Sequence, residues 1–318
     1  MSTYKALFGK YVQTLTSDPA AAAAEGQIWY NSTTGTFKSS LNIGAWSSGG
    51  NYPTTIRETY GVGTQTAGLG FNGQVAPSTN ISAEYDGSAW GNTATTNMTA
   101  IARAGAGLQT SGLAFGGEPG SGETEEYNGT SWSEVNNLGT ARYALNGAGT
   151  QTAGLAIGGR SGGSSPGVVE EYDGTNWTAG GAQPAASAYA GSCGTQTSAL
   201  LFGNTPTASV STFEYDGASW TAGGNLSTPV IRTSGSGTQT AAIQAGNGAP
   251  AQAGTQIYNG TAWASNPSLA TARYNNGASS VSSTSSFIFG GNPGSAPNVT
   301  NATEEYSLSA TVQTLTTS

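Results

Sequence analysis

Seventeen carboxylates, six arginines, three lysines and one cysteine are the side chains that could do ionic, acid–base or nucleophilic chemistry, and there is no histidine. Eleven of the seventeen acids fall in one recurring motif: Glu84, Asp86, Glu125, Glu126, Glu170, Glu171, Asp173, Glu214, Asp216, Glu304 and Glu305. Paired carboxylates can hydrolyse glycosides. Adjacent strand residues face opposite sides, however, so Glu125 and Glu126 cannot act on one substrate atom. Glu84 and Asp86 share a side, yet the pairing returns as Glu171 with Asp173 and as Glu214 with Asp216. Such repetition assigns the aspartates to hairpin turns and the glutamates to nearby arginines. The turn oxygens are also too scattered in sequence for a calcium loop. Without histidine, Ser–His–Asp and Cys–His hydrolysis and His-ligated metals drop out. Cys193, alone, can close no intrachain disulfide and build no Cys-rich zinc site, so it is expected as a small buried thiol on a strand. The lysines are Lys5, Lys10 and Lys38, so the glycines beyond them form no P-loop. The chemistry expected is therefore not catalytic, with no cofactor and no metal.

The elements that place these residues are repeats. Glu-Tyr-(Asp/Asn)-Gly-x-x-Trp occurs as Glu84–Trp90, Glu126–Trp132, Glu171–Trp177 and Glu214–Trp220, with variants at Ile257–Trp263 and Glu305–Tyr306. Its tyrosines are Tyr85, Tyr127, Tyr172, Tyr215, Tyr258 and Tyr306, spaced by 42, 45, 43, 43 and 48 residues. A second block, Gly-Thr-Gln-Thr, starts at Gly63, Gly149, Gly194 and Gly237, with variants opening at Gly107 and Val281. Tyr to Trp is always 5 residues, and Trp to the next block is 17 five times and 18 once, counting from Trp46. All remaining length variation falls between the strand that follows the block and the next Tyr.

Four short strands fit each unit, and a period of ~40–50 residues with four strands is a propeller blade. The sequence therefore predicts an all-β, six-bladed β-propeller over residues 41–318, preceded by a segment at 1–40. Trp46 has no complete strand set before it, and Tyr306 has no Trp after it. The strand around Trp46 is thus expected to close the last blade, removing both free edges. Trp46, Trp90, Trp132, Trp177, Trp220 and Trp263, with the six tyrosines, are expected as core.

Composition agrees with a folded domain. Only 8% of the 318 residues are charged, glycine supplies 49, and 29 aromatics can anchor a core. A net charge of −8 argues against nucleic acid or an anionic membrane surface as partner. No apolar run is long enough to span a bilayer, and no secretory signal is read at the N-terminus.

Strands ending in Gly-Gly, a Tyr-(Asp/Asn)-Gly strand, a Trp five residues on and an Arg after it resemble Kelch repeats. The closest copies are Phe115-Gly116-Gly117 with Tyr127 and Trp132, and Ile157-Gly158-Gly159 with Tyr172 and Trp177. Arg142 and Arg273 lie ten residues after a Trp, where Kelch repeats carry their Arg; Arg57, Arg103 and Arg232 drift to 11, 13 and 12. The Gly-Thr-Gln-Thr-Ala-Gly-Leu wording and the leader Gly26–Gly35 are similar to Kelch-like structural proteins of marine bacteriophages. That resemblance implies a non-enzymatic virion protein of a tail or appendage, with capsid decoration and a glycan-active Asp/Glu propeller enzyme as alternatives. It also implies partner binding on the face that carries the variable loops. Arg57, Arg103, Arg142, Arg160, Arg232 and Arg273 are the expected binding residues there, for a host-surface glycan or protein. Residues 1–40, holding every lysine, are expected to dock other virion proteins or to support a homo-oligomer. Val12–Thr16 recurs as Val312–Thr316, so the two terminal strands are expected to pair or to stack.

Overall fold

A computed structural model describes residues 12–24, 26–75, 78–204, 207–248 and 250–315. Lys5 and Lys10 lie outside that set. Two compact units emerge: one from Met1–Ala45 with Ser307–Ser318, the other Trp46–Tyr306. The division falls at residue 46 rather than the expected 41, because the strand Thr36–Gly49 is continuous and leaves no linker to mark the change.

The larger unit is the predicted propeller. Five four-stranded antiparallel sheets follow one another in chain order, blade 1 holding Tyr60–Thr64, Ala67–Gln74, Ser78–Tyr85 and Trp90–Asn92. In the sixth sheet, Thr36–Gly49 lies beside Thr303–Thr314, followed by Ser285–Phe289 and Gly277–Ala278. Trp46 therefore sits on the outer strand of blade 6, its ring 5.2 Å from Tyr306, as the closure argument requires. The sixth copy of the Gly-Thr-Gln-Thr block differs from the sequence reading. Tyr60 pairs with Phe71 and Gly277 with Phe289, so Ser280, not Val281, occupies the place of Gly63. The extra residue lies in the turn.

The repeat motifs turn out to be joints between blades. Tyr127, Tyr172, Tyr215 and Tyr258 are buried, and each hydroxyl donates to the glutamate before the previous blade's Tyr: Glu84 (2.7 Å), Glu126 (3.0 Å), Glu171 (2.5 Å) and Glu214 (2.6 Å). Tyr85 makes the same bond to Glu305 across the closure. Blade 5 has Ile257 where this glutamate belongs, so Tyr306 donates to Asn266 instead, at 3.0 Å. Burial, then the partner carboxylate, pushes the phenols of Tyr215 and Tyr258 up to about 12. The glutamine of the Gly-x-Gln-Thr block works beside them. Gln151 Nε2 donates to Gly112 O and Tyr127 O of the preceding blade at 3.1 and 2.7 Å, and Gln65, Gln109, Gln196 and Gln239 repeat the pattern.

Aspartates serve the hairpins, as their position after Tyr predicts: Asp86 Oδ1 accepts from the backbone of Ser88 and Ala89, both at 2.8 Å. Trp and Tyr pack within each blade at ring distances of 4.8–5.2 Å. The glycine content follows from the axis. Innermost strands approach so closely that a Cβ on Gly147 would lie 2.2 Å from Gly105 O, and one on Gly61 2.5 Å from Ala278 O. Cys193 is buried on such a strand, and burial pushes its thiol up to about 12, which leaves it unreactive.

The smaller unit is a sheet built on Gln13–Leu15, Ile28–Asn31, Thr36–Gly49 and the end of Thr303–Thr314. Gln13–Leu15 pairs in parallel with Ile28–Asn31, while Thr303–Thr314 neighbours Thr36–Gly49. The terminal strands therefore do not pair: two other strands stand between them, and Thr316 lies outside the described residues. On one side of this sheet Trp29 is buried, and its Nε1 and the Nδ2 of Asn31 both donate to Asp18 Oδ1 at 2.9 and 2.7 Å. The Asn31 bond, then that of Trp29, holds the Asp18 carboxyl below the usual range. Register places Ile28, Tyr30 and Phe37 together on the other side, and strand alternation adds Leu41 and Ile43.

Candidate functional site

The loops that vary in length and the connectors that follow each Trp meet on one face of the propeller. Bridges join them at Arg57–Gln74, Ile101–Glu118, Tyr143–Arg160 and Tyr274–Asn292. This is the face expected to carry the arginines, but they divide into two groups.

Arg103, Arg142 and Arg273 are buried inside blades, each paired with the first glutamate of a Tyr motif: Glu125, Glu170 (2.8 Å) and Glu304 (2.6 Å). Arg142 also donates to Gly158 O and Val168 O, and Arg273 to Gly290 O and Ala302 O. Each glutamate accepts backbone N–H groups as well, Glu170 from Gly139 and Thr140 and Glu304 from Ala270 and Thr271. Desolvation lowers all three guanidinium pKa values while their carboxylates oppose it. These arginines tie a connector to its own blade, so the binding role expected for them does not fit their burial. Other blades fill the same place without charge. Glu125 and Glu170 sit opposite Ala114 and Ala156, where blade 4 sets Phe213 opposite Leu201 and blade 5 sets Gln256 opposite Gln244.

Arg57, Arg160 and Arg232 remain half-buried on the face itself. Arg57 Nε donates to Gln74 Oε1 at 2.8 Å. Arg232 lies over two aromatic rings, 5.2 Å from Tyr189 and 5.8 Å from Tyr274, and its guanidinium makes no hydrogen bond or ion pair among the described residues.

Arg232 belongs to a ring that no sequence motif marks. Glu58, Ala102, Ala144, Tyr189, Arg232 and Asn275, one per blade, all have φ between 51° and 54°. Each backbone N–H donates to the carbonyl of the previous member, and Glu58 closes the circle onto Asn275 O, at 2.8–3.1 Å throughout. A left-handed backbone costs roughly 1–2 kcal/mol at a non-glycine residue, and the closed circle of bonds offsets it. The ring frames the mouth of a central cup. Tyr60 reaches across the cup to Gly147 O at 3.1 Å. Its floor is Ser280, whose N–H donates to Gly63 O while its own carbonyl accepts from Gly237 N. The cavity so enclosed has a volume of about 80 Å³.

The mouth is polar and asymmetric. Asn275 Nδ2 donates to Glu58 Oε1 at 3.1 Å, whereas the members from blades 2 and 3 are alanines that leave space. Burial raises the Glu58 carboxyl above the ordinary range, Arg57 and Arg232 oppose that rise, and Glu118 adds to it. Glu58, an acid outside the Tyr motif, lines the cup, and Glu118, also outside the motif, adds to the rise in its pKa. Their signal was their departure from the repeat. No group of three potential metal ligands occurs among the described residues, and no helix there is long and apolar enough to cross a membrane.

No family model and no curated protein matches the sequence. Among solved structures, YjhT is similar in fold, with a TM-score of 0.67 and 13% identity over 83% of this chain and 99% of that one. Matches reach 335 solved chains, so the fold is a common one and selects no function by itself.

Proposed function

We propose that this chain is a non-enzymatic virion protein of a bacteriophage, a Kelch-type propeller module of a tail or appendage. The smaller unit attaches it to other virion proteins, and the loop face of the propeller engages a host-surface glycan or protein. The observation that carries this reading is where the apolar side chains are exposed. Ile28, Phe37, Leu41, Ile43 and Leu315, all in the smaller unit, are each 39–50% exposed, and in the propeller only Leu108 and Val281 join them among the described residues. An exposed apolar sheet face of this kind marks a protein–protein contact. The similarity of the Gly-Thr-Gln-Thr blocks and of Gly26–Gly35 to Kelch-like phage structural proteins supplies the partner, another protein of the particle. A net charge of −8 and the scarcity of basic side chains speak against nucleic acid. Affinity from one copy is expected to be low, with many copies per particle giving avidity.

Cryo-electron microscopy of the source particle tests the reading. Density for a six-bladed ring at the tail or a fibre supports it. Density spread over the shell replaces it with a decoration role, and absence from the particle overturns it. A Phe37→Lys/Leu41→Lys double variant, folded by circular dichroism, should no longer incorporate.

A further inference from the structure

We propose that the cup at the centre of the loop face binds one neutral, hydroxyl-rich sugar ring. This rests on the reading of that face as the one that meets the host, but its test needs no particle. Four side chains lining the cup hold buried polar atoms with no partner among the described residues: Asn146 Nδ2, Asn275 Oδ1, both amide atoms of Asn276 and Arg103 Nε, the three asparagines being 3%, 9% and 6% exposed. A buried amide atom left unpaired is costly, and such atoms persist where something answers them. They include both donors and acceptors, which suits hydroxyl groups, since each hydroxyl both gives and takes. Around them stand Glu58, which accepts a single hydrogen bond from Asn275, and Arg232, whose donors are all unengaged among the described residues. Tyr189, under that guanidinium, supplies an apolar face. One carboxylate and one guanidinium frame the cup, so the site favours a neutral ring over an anion. Ala102 and Ala144 leave the entry open, and Ser280 closes the far end, so the site takes a terminal residue rather than a threaded chain.

The experiment is saturation-transfer NMR and titration of the full chain with the methyl glycosides of glucose, galactose, mannose and N-acetylglucosamine, alongside glucuronate. Saturable binding of at least one neutral glycoside in the millimolar range is expected. Asn146→Ala should weaken it about tenfold or more, equal to ~1.4 kcal/mol, and Glu58→Gln should weaken it as well. Asn146→Ala is a safe probe, because blade 2 already carries Ala104 at the equivalent register, opposite Phe115 as Asn146 is opposite Ile157. No saturable binding, binding of glucuronate alone, or equal binding by wild type and Asn146→Ala would each overturn the proposal. None of these outcomes moves the location of the protein in the particle, so the two readings fail separately.

Discussion

Between neighbouring blades, polar groups repeat and are answered; in the cup they do not repeat, and several find no partner among the described residues. The seam between blades 2 and 3 shows the first pattern. Tyr172 bonds Glu126, Gln151 bonds two carbonyls of blade 2, and Trp177 Nε1 donates to Thr124 Oγ1 at 3.0 Å. The mouth shows the second: six equivalent ring positions hold Glu, Ala, Ala, Tyr, Arg and Asn. A repeat protein selects the same residue at the same place when the place does structural work, because each interface needs the same answer. Where six equivalent positions share a backbone but not a side chain, structure has stopped dictating and recognition can begin.

The sharpest way to break this contrast is to remove one charge from inside a blade. Arg142→Ala leaves Glu170 buried with only its backbone donors, and should cost about 3–5 kcal/mol in denaturant unfolding. Blade 4 indicates that this place can be filled without charge, having Phe213 where blade 3 has Glu170 and Leu201 where it has Ala156. Arg142→Met with Glu170→Leu should therefore regain most of the loss, since replacing both partners leaves no stranded charge. If the single and double variants are equally unstable, the pair does more than fill and neutralise.

Second in size are the seam bonds. Gln151→Ala strands two backbone carbonyls and should cost about 1–3 kcal/mol. Tyr172→Phe, which frees the partly exposed Glu126 to meet water, should cost about 1 kcal/mol. Urea melts rank them directly, and the order reversed would mean that the Tyr–Glu bond, rather than the glutamine, fastens the blades.

This ranking also explains what could be read from the sequence. Fixed gaps exposed the blades because the Tyr–Trp hairpin keeps one spacing in every copy, and Trp46 revealed the closure because it had no strand set of its own. The glutamates were harder to place. Glu125 and Glu126 look alike in sequence, yet one meets Arg103 within its blade and the other Tyr172 of the next. Assigning the second glutamate of each motif to an arginine missed this, since strand alternation gives the side of the sheet but not what waits there. The arginines misled for a similar reason: a connector residue reads as surface, although Arg142 and Arg273 fold back under their own loops. The ring at the mouth was invisible because its bonds are entirely backbone, and Ala102 and Glu58 share nothing that a sequence displays.

A smaller effect distinguishes Glu58 from the seam acids. Burial raises its pKa, so the folded state binds its proton more tightly than the unfolded chain does. Stability from this group is present below the ordinary carboxylate range and is lost as pH rises from there through the raised folded value. Glu58→Gln should remove that loss. Comparing chemical unfolding of the variant and the wild type across this window, the wild type should fall relative to the variant as pH increases. An unchanged difference would mean that Arg57 and Arg232 already compensate the carboxylate fully.

The smallest expected change in stability is the most telling. Asn146 Nδ2 forms no bond for the fold to lose, so Asn146→Ala should leave the melting temperature unchanged or raise it, by up to about 1 kcal/mol in free energy. A core asparagine with a structural role would behave oppositely, as truncating a satisfied buried amide costs stability. The strand geometry predicts no strain, because Ala104 occupies the equivalent place in blade 2 and Gly191, opposite Phe202, the place in blade 4. A stabilised variant would mean that the chain carries an amide its fold does better without, as a residue kept for a ligand of the cup would be. A destabilised one would move Asn146 to the seam side of the comparison and leave Asn275 and Asn276 as the unanswered amides of the cup.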